Sequence, residues 1–167
     1  MAPEPVIRVE AVSWDDPVAA ALRDAMGAEM RLRYADRLAH RPPPGERAIV
    51  GETVVYTGVA YTVEGLPVGH AALRWLRGDL ELKRMYVVPS HRGRGTSGPL
   101  LTAVEQVAHG LGGGRIILQT GDRQPDAERM YTRAGYNRIP IFAPYEELTY
   151  SRCYEKIIAA AGEARAS

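Results

Sequence analysis

The chain contains one cysteine, Cys153, which excludes an internal disulfide framework and a cysteine-rich zinc site. That scarcity fits a reducing compartment. An excess of charge is missing too, since 21 Lys plus Arg stand against 20 Asp plus Glu, a formal net charge of +1. A nucleic-acid protein that works through a broad basic face is therefore not expected. No apolar stretch approaches the roughly 20 residues of a membrane-spanning helix. Met1 to Glu10 also lacks the basic-then-apolar order of a secretory signal. The expectation is a cytoplasmic protein with no membrane partner, no nucleic acid and no metal. Its 167 residues amount to one domain at about 150 residues per domain. That domain should span 1–167, with a fraying tail from about 159, and exist as a monomer or homodimer.

What is present is a change of periodicity along the chain. Pro5 to Val12 alternates like a short first strand. Asp15, Asp16 and Pro17 are helix-start residues, and Val18, Leu22, Met26, Met30 and Tyr34 recur at the spacing of one helix or a pair of short ones. His40-Arg41-Pro42-Pro43-Pro44-Gly45 must break it. Three β-rich runs follow, Thr53 to Val63, Val68 to Trp75 and Leu80 to Val88, joined by turns at Glu64-Gly65 and Gly78-Asp79. They predict an antiparallel meander. A helix is predicted from about Gly98 to Gly110, a strand over 115–120, and a short helix from Gln124 to Gly135. Two last strands should lie near Tyr136 to Ile141 and Leu148 to Ile157. The order predicts an α/β fold, one mixed and mostly antiparallel sheet flanked by helices.

Between the third β-run and the next helix lies Arg92-Gly93-Arg94-Gly95-Thr96-Ser97-Gly98. Successive glycines permit positive φ, and a helix start offers unpaired N–H groups to an anion such as a pyrophosphate. A Walker A loop is excluded because Pro99, not Lys, follows Gly98. Gly93, Gly95 and Gly98 match a dinucleotide fingerprint in spacing, with Asp122 as its acidic partner. However, that motif belongs in a parallel βαβ unit rather than after a meander.

Leu82 to Pro89 running into Arg92-x-x-Gly95-x-Ser97 resembles the acetyl-CoA motif of the GNAT N-acetyltransferases, with Ser97 where Gly or Ala is usual. Gln124-x-x-Ala127-x-x-x-Tyr131-x-x-x-Gly135-Tyr136 is similar to the family's second signature, with Gln124 in place of Asn. The two stretches cover about residues 80 to 137. The resemblance implies a single GNAT-like domain in which the strands ending at Val87 and near Gln119 splay around the coenzyme. It implies that Met85, Tyr86 and Val87 pair with the pantetheine arm and the acetyl carbonyl. Arg92, Gly93, Arg94, Gly95, Thr96, Ser97 and Gly98 would hold the pyrophosphate, and Gln124 would also face the cofactor.

The same resemblance implies direct transfer from acetyl-CoA to a small-molecule or peptide amine, with Tyr131 as the acid that protonates the departing thiolate. Ala127, Met130, Tyr131 and Ala134 also form an ordinary core stripe. Glu81 is the candidate base. Alternation places it on the face of Met85 and Val87, although an ion pair with Lys83 is the plain alternative. His70 reads as a strand residue or a second base, and Cys153 as a packed thiol rather than a nucleophile. Trp75, Phe142, Tyr145 and Tyr150 are candidates to wall an acceptor pocket. Two other readings use the same residues: a silent acyl-CoA-binding module and a dinucleotide oxidoreductase.

Overall fold

Asp16 opens the first helix, α1 (Pro17–Arg33). Its carboxylate accepts from the N–H groups of Val18 and Ala19, and Pro17 fills the first turn. A computed structural model describes residues 6–38, 49 and 51–158. The His40–Gly45 breaker and the tail from 159 lie outside the described residues. The remaining elements are β1 (Arg8–Ala11), α2 (Ala35–Leu38), β2 (Val54–Tyr61), β3 (Pro67–Leu76), β4 (Asp79–Val87), α3 (Ser97–Gly110), β5 (Arg115–Gly121), α4 (Pro125–Arg133), β6 (Asn137–Ile139) and β7 (Ser151–Ile157).

The seven strands form one sheet in the order β1-β2-β3-β4-β5-β7-β6. Every neighbouring pair is antiparallel except β4 and β5. This is the single α/β domain with a mixed, mostly antiparallel sheet that the periodicity predicts. The meander β2-β3-β4 begins with β-branched and aromatic side chains on β2, which suit a pleated, half-buried surface. Leu100, Leu101, Val104 and Ala108 of α3 bury one face of the sheet, against Leu73, Leu80 and other strand residues. Ala19 and Leu22 of α1 cover the opposite face at Val59 and Tyr86.

The last strands are shorter than alternation predicts. Residues 142–151 form successive tight turns instead, in which Tyr145, Leu148 and Ser151 each donate an N–H to the carbonyl three residues back. Tyr145 and Leu148 are buried from that loop, so their hydrophobicity reports the core rather than a strand. Of the two arrangements open to the first helical run, the structure has the pair, with the break at Tyr34. The Tyr34 ring stacks on Tyr150 (centroids 5.6 Å apart) and its hydroxyl accepts from the Arg123 N–H at 3.2 Å. Gly121 lies beneath it, where a Cβ would collide with the Tyr34 hydroxyl. Arg37–Asp122 and Arg123–Asp36 ion pairs complete the tie between α2 and the end of β5.

Candidate active site

β4 and β5 pair at only two positions, Leu80 with Ile116 and Glu81 with Ile117. Beyond them β4 stays paired to β3 and β5 stays paired to β7 along its whole length. The sheet therefore opens as a V whose apex is Glu81. The Val88 N–H donates to the Val68 carbonyl at 2.9 Å, so the even positions near the end of β4 point their backbone groups toward β3. Met85 and Val87 then turn theirs into the gap.

A bulge sets that phase. Ala72 is opposite Lys83 but His70 is opposite Tyr86, so Arg84 and Met85 together face Ala71. Arg84 adopts φ +53, a left-handed conformation that is uncommon for a residue with a β-carbon. The extra residue inverts the alternation. Leu80, Leu82, Met85 and Val87 pack on the α3 face, while Tyr86 packs under α1. The expectation that Glu81 shares a face with Met85 and Val87 is thus corrected, because simple alternation cannot count through a bulge.

The loop after β4 makes one 3₁₀ turn (Pro89–His91) and then turns left-handed at Gly93 (φ +71) and Gly95 (φ +78). The buried Thr96 hydroxyl donates back to the His91 carbonyl at 3.2 Å, which closes the turn. The first N–H groups of α3 have no intrahelical partner. Among the described residues, no carbonyl outside a helix accepts from the N–H groups of Gly93 to Gly98. A Cβ at Gly93 or Gly98 would meet nothing within 4 Å. The result is an open cradle of backbone donors at the positive end of a helix, suited to a phosphate. The Arg92 side chain is used differently. Its Nε donates to the Val87 carbonyl (2.8 Å), its Nη2 donates to Glu29 of α1 (2.8 Å), and it lies over the Tyr86 ring. Arg92 therefore ties the loop to the gap and to α1, while Arg94 is exposed.

Across the gap, α4 follows β5 directly. Gln124 precedes its first turn, and its side chain makes no capping bond to the helix. Tyr131 is 5% exposed within the α3-face core, edge-on to Tyr136 (5.7 Å) and tilted against Tyr154 (6.2 Å). Burial pushes its hydroxyl well above the ordinary tyrosine range, so the group keeps its proton.

Glu81 is fully buried with both oxygens engaged. Arg74 Nε donates to Oε1 at 2.6 Å and the Tyr145 hydroxyl donates to Oε2 at 2.6 Å. Lys83 lies farther from Glu81, at 3.8 Å, and donates instead to the Tyr145 hydroxyl at 2.7 Å. The expected Glu81–Lys83 pair is thus secondary to Arg74, a residue with no local sequence signal because it lies on the neighbouring strand. Phe142 packs edge-on against Tyr145 (5.4 Å) on this side. Trp75 does not belong to the group, since it pairs with Leu80 at the closed end of the V and is 40% exposed. Cys153 is buried, and burial raises its thiol above the usual range. It is a packed thiol.

His70 is also fully buried, and burial chiefly lowers its pKa to about 4. Above the unfolded value of about 6.5 the ring is neutral in both states. As pH falls from there toward 4, the unfolded chain takes a proton that the folded chain refuses. Stability should then drop by an amount on the order of 3 kcal/mol. Thermal melts at pH 7 and pH 4.5 measure this. The fall should shrink in His70→Asn, and an identical fall in that variant would assign it to other groups.

Among the described residues no group of three or more His, Cys, Asp or Glu could hold a metal ion, and no helix is long and apolar enough to cross a membrane. No curated protein matches the chain. Among solved structures, the chain is similar to a Klebsiella pneumoniae protein assigned to the acyl-CoA N-acyltransferases. The two share 29% identity at a TM-score of 0.75, over 92% of this chain and 99% of that one. A GNAT-family acetyltransferase from Staphylococcus aureus Mu50 shares the fold at 18% identity and a TM-score of 0.66, over 92% and 100%. An N-acetyltransferase from Thermoplasma acidophilum, solved in complex with coenzyme A, shares it at 15% identity and 0.65, over 91% and 99%. The sequence profile of the acetyltransferase (GNAT) family matches residues 16–136. The helix that covers the α1 face, the splayed strands, the glycine cradle and α4 all fall within that match, and the chain belongs to the GNAT acetyltransferase family.

Proposed function

We propose that the protein is an N-acetyltransferase that moves the acetyl group of acetyl-CoA directly onto a primary amine of a small molecule or peptide. The observation that carries this reading is the V between β4 and β5, which opens beside the donor cradle of Gly93 to Gly98. The family uses acyl-CoA, and a fold neighbour holds coenzyme A. When bound, acyl-CoA supplies the acyl group as a thioester, whose carbonyl carbon the amine attacks. The backbone donors of the cradle hold the pyrophosphate, with Arg94 adding charge and Gln124 facing the coenzyme from just before α4.

Met85 and Val87 present their N–H groups to the gap. They stabilise the negative charge that builds on the thioester oxygen as the C–N bond forms, an effect often worth ~3 kcal/mol. Tyr131 gives its proton to the sulfur as the C–S bond breaks. Glu81 takes the amine's proton through the Tyr145 hydroxyl, which already donates to it, so it acts without touching the amine. No nucleophile of the enzyme is needed.

Two measurements test this reading. Acetyl-CoA should raise the melting temperature while NAD and NADP do not, by simple linkage. Free thiol should also appear from acetyl-CoA when an accepted amine is added. A shift with a dinucleotide alone would instead favour an oxidoreductase. A shift with acetyl-CoA but no thiol release with any amine would favour a silent binder.

A further inference from the structure

The bulge that aims Met85 and Val87 into the gap needs a partner for the carbonyl it displaces. Arg84 shares the place opposite Ala71 with Met85 as the extra residue of the bulge and holds φ +53, a conformation that persists only when its surroundings over-determine it. Its carbonyl accepts from the His70 ring at Nδ1, 2.8 Å away. A carbonyl only accepts, so Nδ1 must carry a hydrogen. The other ring nitrogen, Nε2, lies 3.1 Å from Nη1 of Arg23, and a guanidinium only donates, so Nε2 must be bare. The two neighbours together permit one state of the ring, the neutral Nδ1–H tautomer. The depressed pKa of His70 agrees with that state.

Arg23 is itself held from two directions. Its Nη2 donates to the Trp14 carbonyl at 2.5 Å, and its guanidinium lies 3.6 Å above the Trp14 ring. The Trp14 ring in turn meets His70 edge-on at 6.2 Å. A chain of fixed contacts thus runs from the turn before α1, through α1 and β3, to the bulge on β4.

We propose that His70 is a positioning residue. Its Nδ1–H fixes the β4 bulge, and with it the direction of the Met85 and Val87 N–H groups, while Arg23 and Trp14 hold the ring in the required tautomer. Only the kinetic part of the test below rests on the acetyl-transfer reading.

The first readout is the tautomer of the wild-type ring, by ¹⁵N NMR of His70. The Nδ1–H form is expected, and the Nε2–H form would overturn the proposal. The second compares His70→Leu, which removes the donor, with His70→Asn, whose amide can replace Nδ1–H. In His70→Leu the amide signals of Met85 and Val87 should shift and broaden while those of Thr96 to Gly98 hold, and His70→Asn should restore them. With an amine that turns over, kcat of His70→Leu should fall at least about ten-fold, with KM for acetyl-CoA within about three-fold of wild type. His70→Asn should recover most of the loss. Unmoved Met85 and Val87 amides in His70→Leu, or equal damage in both variants, would reduce His70 to a core side chain. If His70→Leu does not fold, the wild-type tautomer and the Met85 and Val87 amides of His70→Asn decide. If no amine turns over, the acetyl-transfer reading fails while the spectra still judge the clamp.

Discussion

Replacing Gly95 with valine is expected to abolish acyl-CoA binding, a loss of at least about 100-fold in Kd, or ~2.7 kcal/mol, while leaving the domain folded. Gly95 sits at φ +78 in the turn that feeds α3. A β-branched residue strains such a conformation by roughly 1–2 kcal/mol, a fraction of the 5–15 kcal/mol that typically hold a domain together. On the acetyl-transfer reading, the side chain would stand where the pyrophosphate approaches the backbone donors. The core beneath the loop is built from Leu100, Leu101 and Val104, which the change does not touch. Calorimetric titration with coenzyme A, alongside a thermal melt, separates the two effects. Wild-type affinity in Gly95→Val would place the pyrophosphate elsewhere.

Tyr131→Phe is expected to lower the acetyl-transfer rate by at least about ten-fold, less than the ~10²–10⁴-fold that general acid catalysis contributes because water partly rescues the step. The ring keeps its contacts with Tyr136 and Tyr154, so packing is preserved and only the hydroxyl goes. Coenzyme affinity should change little, since one hydrogen bond is worth about 1 kcal/mol. Burial makes the hydroxyl a reluctant acid, but a thiolate left in the same dry surroundings is raised as well. Turnover of the Phe variant at the wild-type rate would demote Tyr131 to a core aromatic.

Local patterns made the elements legible. The switch from 3.6-residue to two-residue periodicity near Thr53 separates α1 from the meander, and the glycine loop marks the start of α3 to within a residue. What stayed hidden depends on pairing across strands. Glu81 meets Arg74 because β3 and β4 place them opposite each other, and Tyr145 reaches both from a loop more than sixty positions away. The bulge left a trace that alternation misreads. Leu80 and Leu82 step by two and then Met85 follows after three, a phase slip at the residue that turns left-handed. The use of Arg92 to bind Glu29 was equally illegible, since the motif position gives no hint that α1 passes beside the loop.

Acetyl transfer from acetyl-CoA to a primary amine frees the coenzyme thiol, and that release can be followed directly. Acetyl-CoA is incubated with the protein and a panel of small amines, amino-terminal peptides and lysine peptides, and coenzyme thiol is followed with time. Release should depend on at least one amine, saturate in both substrates, disappear in Gly95→Val and slow in Tyr131→Phe. Tight acetyl-CoA binding with no amine-dependent release across the panel would instead make the protein a silent acyl-CoA binder.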